Sequence, residues 1–391
     1  MNTDPGVLVV GASAAGLTVA EALRRLGYTG TLRLVGQEPH LPYDRPPLSK
    51  EFLTGTWTAK RAMLREPAEL DALGADLVLG RKAERLDPEA HVVELDDGRR
   101  LSYGTLVVAT GLVPRRLPMT RDLAGVHVLR TLDDATALRR ELLTARRIAV
   151  IGAGVLGCEI AATTRTLGLD VTLIDPVPVV MARQIGAELG ALAATLHEQH
   201  GVRLRTGTAV ARLTDVAGRV STVELTSGES VPVDLVAVAV GSVPATAWLT
   251  ESGLTLNDGL LCDSRCRAST DVYAVGDVAR WHHQVMGTDI RLENRTNATQ
   301  QALAVASRIL GDDSPYAPIP YFWTDQYDVK LQIHGTIPTG ARIRPVDGEP
   351  GAGRFAAIAE LGGIPTAAIG WNHPRGVLAA RRQLADALRP L

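Results

Sequence analysis

The sequence predicts an α/β protein with two doubly wound units and a small α+β domain at its end. Two glycine patterns carry most of that prediction: Gly11-Ala-Ser-Ala-Ala-Gly16 and Gly152-Ala-Gly-Val-Leu-Gly157. Each follows an apolar β-type run, residues 7–10 and 148–151, and each opens a stretch of helical period. Glycines so placed permit a tight turn and let the backbone approach a pyrophosphate, which then rests on the N-terminus of the following helix. A third observation is the change of character after Pro315: aromatics gather (Tyr316, Tyr321, Phe322, Trp323, Tyr327) and strand-like alternation replaces the glycine patterns. Two Rossmann-like dinucleotide-binding domains in one chain imply two bound nucleotides. Passing electrons between them is the chemistry such a pair serves, so an oxidoreductase is expected.

In chain order, strand 7–10 leads to helix 14–26 and strand 31–35. The run Glu38-Pro-His-Leu-Pro-Tyr-Asp-Arg-Pro-Pro-Leu-Ser-Lys50 holds too much proline for a strand. Pro47 suits a first helical turn, so a short helix at 48–53 carrying Lys50 is predicted. Strand-like pieces follow at 76–78 and 91–95, then an Asp97-Gly98 hairpin turn and a buried run at 105–109 ending in Thr110-Gly111. The second unit repeats this plan, with helix 156–167, strand 171–174 before Asp175, and a buried run at 235–240 ending in Gly241. That shared order reads as an internal duplication. Next, Asp271-Val-Tyr-Ala-Val-Gly-Asp277 is an apolar strand delivering a carboxylate at its end. Helical period runs over 297–310, strand patterns over 329–333 and 355–361, and a closing helix over 375–388.

At 391 residues the chain exceeds a single core, which agrees with several domains. A net charge of −2 gives no electrostatic reason for nucleic acid or an anionic membrane as partner, and neither is expected. The longest apolar runs, such as 235–240, fall far short of the roughly 20 residues that cross a bilayer. No basic and apolar leader precedes the first strand, so a cytoplasmic location is expected. Of three cysteines, Cys158 reads as a packing residue in the second fingerprint helix. Cys262 and Cys266 fall in an apparent loop without the flanks of a reactive dithiol, and no metal-ligand spacing is present.

The chain resembles the two-dinucleotide-binding flavoprotein reductases, in particular the NADH-dependent ferredoxin reductases that serve cytochromes P450 and aromatic-ring dioxygenases. The resemblance covers nearly the whole length. It rests on both fingerprints, Arg45-Pro-Pro-Leu-Ser-Lys50, Val108-Ala-Thr-Gly111, Leu129-Arg-Thr-Leu-Asp-Asp-Ala135, Ala274-Val-Gly-Asp277 and Phe322-Trp-Thr-Asp-Gln-Tyr327. Pro-Pro-Leu-Ser-Lys and Phe-Trp-Thr-Asp-Gln-Tyr discriminate best, since nucleotide fingerprints are widely shared. The implied organisation is a discontinuous FAD-binding domain at 1–115 and 245–315, an NAD-binding domain at 116–244 and a C-terminal α+β domain at 316–391.

The resemblance implies FAD at the first fingerprint: Gly11, Ser13, Ala14, Ala15 and Gly16, with Arg45, Lys50, Ala83, Ala109, Thr110, Gly111, Arg130, Gly276, Asp277, Arg295, Thr296 and Trp323 contributing. Asp277 suits a ribityl hydroxyl. The adenosine ribose falls to Gln37 or Glu38, because an amide stands where the family often has an acid. Arg295 replaces the apolar or aromatic residue that relatives often carry. NAD is assigned to Gly152, Gly154, Val155, Leu156, Glu159, Val240 and Gly241. Asp175, about 20 residues beyond Gly152, is spaced to accept hydrogen bonds from the ribose diol and to disfavour a 2′-phosphate. Arg183 is either a surface arginine or a contact to the NAD pyrophosphate or ribose. Lys50 and Glu159 are expected to meet beside the flavin, where the ammonium stabilises negative charge and the carboxylate orients it. Hydride moves directly between the cofactors in this family, so no nucleophile or general acid is assigned.

The expected function is an FAD-dependent NADH:ferredoxin oxidoreductase. It passes electrons to a small, acidic iron–sulfur ferredoxin (less readily a rubredoxin) that serves a P450 or oxygenase. Arg61, Arg65, Arg342 and Arg344 are candidates for the basic docking face, and the chain is expected as a monomer or weak homodimer. One alternative is an NADH oxidase or a reductase of quinones or small molecules; another is an NADH-sensing redox signalling flavoprotein. Dithiol–disulfide chemistry is not expected: disulfide reductases of this fold place Cys-x4-Cys where residues 47–53 stand here, and no cysteine precedes Cys158.

Overall fold

The structure, a computed structural model, describes residues 5–120 and 123–387. The last residue of the predicted closing helix, Leu388, and the outer limits of the predicted domains, residues 1 and 391, lie outside the described residues. The chain divides into two compact units. One holds residues up to Asp44 together with Ala62–Val113 and Val243–Pro318; the other holds Arg45–Arg61, Pro114–Ser242 and Ile319 onward.

In the first unit a six-stranded sheet is ordered Arg267–Ser269, Val272–Ala274, Thr105–Val108, Val7–Val10, Leu32–Gly36, Asp76–Leu79. All neighbours pair in parallel except the edge pair Arg267–Ser269 and Val272–Ala274. Val7–Val10 is buried along its whole length, as a strand covered on both faces must be. The fingerprint helix Ala14–Arg25 follows it and packs beside the helix Arg295–Ile309. Strand order reverses between Val7–Val10 and Thr105–Val108, the switch point at which doubly wound sheets bind ligands. A three-stranded antiparallel sheet, Ala83–Asp87, Val92–Leu95 and Arg100–Ser102, makes the excursion between the parallel strands.

The second unit repeats the plan. Its parallel sheet is ordered Arg203–Thr206, Asp170–Asp175, Arg147–Ile151, Leu235–Val238, Val126–Val128, with the switch between Arg147–Ile151 and Leu235–Val238. The excursion is again antiparallel, Val210–Val216, Arg219–Leu225 and Ser230–Pro232. The duplication read from the sequence is thus present in the topology. A five-stranded antiparallel sheet, Tyr321–Gln326, Val329–Gly335, Ile364–Trp371, Arg354–Leu361 and Arg342–Glu349, completes this unit. The helix Pro374–Ala387 seals it through Val377, Ala380 and Leu384 against Ile358 and Ala368.

Four expectations are corrected. Residues 45–61, placed by the sequence in the FAD-binding segment, pack with the second unit because buried hydrogen bonds tie them to its fingerprint helix. Lys50 does not lie within a helix: a 3-10 turn, Pro46–Ser49, stops at Lys50 (φ −124°, ψ −98°), and a helical turn Glu51–Thr54 restarts beyond it. Cys266 lies in the turn between Leu260–Cys262 and Arg267–Ser269, as expected, but Cys262 does not. Cys262 ends the strand Leu260–Cys262, and both side chains are buried. Tyr316 belongs to the first unit rather than to the C-terminal aromatics; its ring centroid lies 5.5 Å from that of Trp281, and its hydroxyl donates to Asn297 Oδ1 at 3.0 Å. Among the described residues, no helix is long and apolar enough to cross a membrane.

Candidate functional site

In the first unit the fingerprint turn is shaped for a phosphate. Gly11 has φ +123°, and a Cβ there would lie 2.1 Å from the Ala109 carbonyl oxygen; on Gly16 it would lie 1.9 Å from that of Gly11. Only glycine permits this approach of turn, helix and strand. Ser13 is the N-cap of Ala14–Arg25, yet its side chain makes no capping bond, and the helix's first turn carries no acid. An anion meets bare amides and the positive end of the helix dipole there.

Three further segments converge on this turn. Ala109, Thr110 and Gly111 follow Thr105–Val108, with the Thr110 hydroxyl donating to the Ala245 carbonyl at 2.9 Å. Gly276 sits between two helix starts: a Cβ on it would lie 3.3 Å from that of Ala15 and 3.6 Å from that of Ala298. Its amide donates to Gln301 Oε1 at 2.8 Å, so Asp277 is presented beside the fingerprint. Arg295 and Thr296 begin the helix Arg295–Ile309, capped by Asn294 through the Asn297 amide. A cation in a first helical turn opposes the dipole; here Asp44 offsets it, accepting from Arg295 Nε at 2.5 Å. Gln37 is exposed, whereas Glu38 accepts a short hydrogen bond from the Tyr43 hydroxyl. Ala83 is buried at the start of Ala83–Asp87.

The second unit builds an equivalent cradle. A Cβ on Gly152 would lie 2.3 Å from the Ala239 carbonyl oxygen, and one on Gly157 1.8 Å from that of Gly152. Gly154 differs, since a Cβ there would meet nothing within 4 Å. Open space above a bare helix start, with no acid in the first turn of Val155–Thr166, is what a pyrophosphate needs. Val155 is half-buried and Leu156 exposed on that turn; Val240 and Gly241 follow the neighbouring strand Leu235–Val238. Asp175 ends Asp170–Asp175 and accepts from the Ala153 amide at 2.6 Å and from the Val177 amide at 2.7 Å. The carboxylate thereby braces the fingerprint turn it borders. Arg183, in the short turn that precedes the kink at Gly186 in Ala182–Gln199, is exposed; the preceding Met181 amide bonds the Ala153 carbonyl at 2.8 Å.

Lys50 and Glu159 meet: Nζ lies 2.7 Å from Oε2, with both side chains largely shielded. Ser49 Oγ donates to the same oxygen at 2.7 Å, and Thr324 Oγ1 donates to Oε1 at 2.8 Å. Lys50 Nζ also reaches the Pro46 carbonyl at 3.2 Å. A buried carboxylate with three donors is fully satisfied. Arg45 donates to the Arg130 carbonyl at 2.6 Å, and Arg130's own amide is held by Asp134. Trp323 is half-buried, its ring stacked 5.9 Å from Tyr321. Arg45, Lys50, Arg130 and Trp323 therefore belong to the second unit, and the other residues assigned to FAD belong to the first. Of the basic candidates, Arg65 is engaged by Glu21 and Arg344 by Glu360; Arg61 covers the Trp57 ring, and Arg342 is exposed.

Sequence reasoning missed Ser49, Thr324, Gln326 and His197 as site residues. Ser49 and Thr324 lie inside segments already singled out, and the strand alternation that puts Thr324 opposite Trp323 was available as a signal. His197 offered none, because its partners come from a strand more than 100 positions away.

Two glycine cradles that admit nucleotides, joined in one chain with a shielded lysine–glutamate pair, define a two-nucleotide reductase. Residues 5–302 match the pyridine nucleotide-disulphide oxidoreductase family, and residues 321–390 match the reductase C-terminal domain. The chain belongs to this oxidoreductase family, and its cofactors are FAD and NAD(H). It is 39% identical to a ferredoxin–NAD(P)+ reductase of Sphingomonas sp, over 91% of this chain and 87% of that protein. It is 38% identical to the ferredoxin–NAD+ reductase component of the anthranilate 1,2-dioxygenase system of Burkholderia cepacia, over 100% and 96%. Among solved structures it is similar to the covalent putidaredoxin reductase–putidaredoxin complex, with TM-score 0.94 and 32% identity over 99% of this chain and 94% of that one. The family name notwithstanding, all three cysteines are free and buried.

Proposed function

We propose that the protein is an FAD-dependent NADH:ferredoxin oxidoreductase, taking electrons from NADH and passing them to a small iron–sulfur ferredoxin that serves a P450 or oxygenase. The observation that carries this reading is the Lys50–Glu159 pair, shielded and hydrogen-bonded, with no cysteine in the segment 47–53 that holds the lysine. Bound in the two glycine cradles, FAD and NAD(H) would supply the hydride chemistry. The protein's part is to hold and to polarise. Gly11, Ser13, Ala14, Ala15 and Gly16 would receive the FAD pyrophosphate, Asp277 the ribityl chain, and Gln37 or Glu38 the adenosine ribose. Since Glu38 is engaged by Tyr43, Gln37 retains the freer side chain for that contact. Gly152, Gly154, Val155 and Leu156 would receive the NAD pyrophosphate and Asp175 its ribose diol. Lys50, kept oriented by Glu159, would stabilise the negative charge that accumulates on reduction.

The FAD-binding domain is read as 1–115 with 245–315, the NAD-binding domain as 116–244 and the C-terminal domain as 316–391, with residues 45–61 packing away from the first of these. An acidic ferredoxin suits the exposed Arg61 and Arg342, and a monomer or weak homodimer is the state this reading assumes. The cytoplasm, where free thiols stay reduced, is the compartment it assigns.

The test is NADH-driven cytochrome c reduction with and without a panel of ferredoxins, with ferricyanide reporting the flavin directly. Ferredoxin-dependent reduction, strong with NADH and weak with NADPH, is expected. Ferricyanide turnover that no ferredoxin augments would instead favour the oxidase or small-molecule reductase.

A further inference from the structure

A chain of buried hydrogen bonds runs from the Lys50–Glu159 pair into the second unit. Thr324 Oγ1 gives its hydrogen to Glu159 Oε1 and accepts from Gln326 Nε2 at 3.2 Å. Gln326 Nε2 has its other contact with Met181 Sδ at 3.4 Å, and Gln326 Oε1 faces His197 Nε2 at 3.0 Å. His197 Nδ1 faces the Tyr327 hydroxyl at 3.1 Å, and the Tyr327 ring stacks on His200 with centroids 3.7 Å apart. Thr324, Gln326 and His197 are 2%, 4% and 0% exposed, so water does not compete for these bonds. Tyr327 holds φ +56°, a strained conformation for an aromatic residue, where the surrounding contacts over-determine it.

The chain has a direction. Gln326 offers a carbonyl to His197 only when Nε2 of the imidazole carries the hydrogen, leaving Nδ1 to accept from Tyr327. With its carbonyl so used, the amide nitrogen must donate to Thr324, and the Thr324 hydrogen is left for Glu159. Reversal would point the hydroxyl away from the carboxylate. An amide does not hand a proton along such a chain, so the arrangement orients rather than conducts. Alternation along Tyr321–Gln326 sets Thr324 and Gln326 on one face and Trp323 on the other.

We propose that Thr324 and Gln326 are positioning residues for the Lys50–Glu159 pair: with His197 they fix the hydrogen-bond direction so that Glu159 meets Lys50 as a carboxylate whose second oxygen is already held. The effect on the flavin rests on the reading that this pair borders it. Burial supports the assignment at the far end, since it pushes the His197 imidazole down to about 4 and keeps it neutral.

The test uses the holoenzyme. Two-bond 15N–1H spectra of the histidine-labelled wild type read the tautomer of His197; the Nε2–H form is expected, and the Nδ1–H form overturns the proposal. Thr324→Val removes the hydroxyl at constant volume and Thr324→Ser restores it. Loss of the donor leaves the carboxylate less neutralised, so the flavin reduction equilibrium in Thr324→Val should move three- to tenfold toward the oxidised form. That is about 15 to 30 mV, at 29.6 mV per decade for two electrons, and Thr324→Ser should match the wild type. Glu159→Gln, which removes the charge, should move the potential upward. A shifted potential in Glu159→Gln with none in Thr324→Val overturns the positioning role and leaves the reading of the pair standing. No shift in either overturns both.

Discussion

Replacing Asp175 by alanine separates what holds NADH from what merely tolerates it. The carboxylate accepts from the Ala153 amide at 2.6 Å and the Val177 amide at 2.7 Å, so it braces the glycine turn in addition to the ribose contact proposed for it. A hydrogen bond to a charged acceptor contributes about 1.5 to 3 kcal/mol. Asp175 is half-buried and water can replace part of that, so the two together are set at about 3 kcal/mol, the lower bound. Spread between a loosened turn and a lost diol contact, a loss of this size lowers kcat/KM for NADH by about a hundredfold. NADPH loses the same support from the turn but is relieved of a repulsion. A 2′-phosphate facing the carboxylate would carry a repulsion of about 4 kcal/mol per unit charge, taking roughly 4 Å and an effective dielectric of 20, and the alanine variant would remove it. The NADH-to-NADPH preference should therefore collapse by several decades. Steady-state kcat/KM for both nucleotides, with ferricyanide as acceptor, measures this. An alanine variant that keeps the wild-type preference within about threefold would refute the role of Asp175 at the ribose, and one that keeps kcat/KM for NADH would refute its role in bracing the turn.

Gly154→Ala should melt like the wild type, because a Cβ there meets no protein atom within 4 Å, yet raise KM for NADH about tenfold or more by occupying the pyrophosphate's space. Gly11→Ala, with a Cβ 2.1 Å from the Ala109 carbonyl oxygen and φ +123°, should yield protein depleted of flavin, read from its visible absorbance. Stability should fall with pH below the ordinary histidine range. The unfolded chain protonates His197 near 6.5 and the folded protein only near 4, so the stabilisation is complete above 6.5 and drains on acidification toward 4. The share of His197 is about 3 kcal/mol, and urea midpoints at two pH values measure the slope; His197→Gln should lessen it without abolishing it, since burial holds His334 down to about 4 as well. All three cysteines should resist a thiol reagent in the native protein and react on unfolding, since they are buried and burial raises each thiol, that of Cys266 to about 12.

The sequence by itself determined the doubly wound plan, because it is written in local patterns. A buried parallel strand is a short apolar run, a fingerprint turn needs glycine wherever a Cβ would strike a neighbouring carbonyl, and both signals occur twice with the same order around them. Gly11, Gly16, Gly152 and Gly157 all proved to be positions where a side chain has no room. It also named Lys50 and Glu159, though only resemblance joined them. The tertiary structure decided the rest, through long-range contacts that no local pattern encodes. Residues 45–61 pack with the second unit because Ser49 and Lys50 find their partners on a helix more than 100 positions onward. Arg295 is tolerated at a helix start because Asp44, about 250 positions away, offsets it. Cys262 and Cys266 are inert because the core of the first unit closes over them. Glu159 remains a satisfied carboxylate because a strand near the C-terminus turns Thr324 toward it, a fact of register and burial that emerges only when the sheet is assembled.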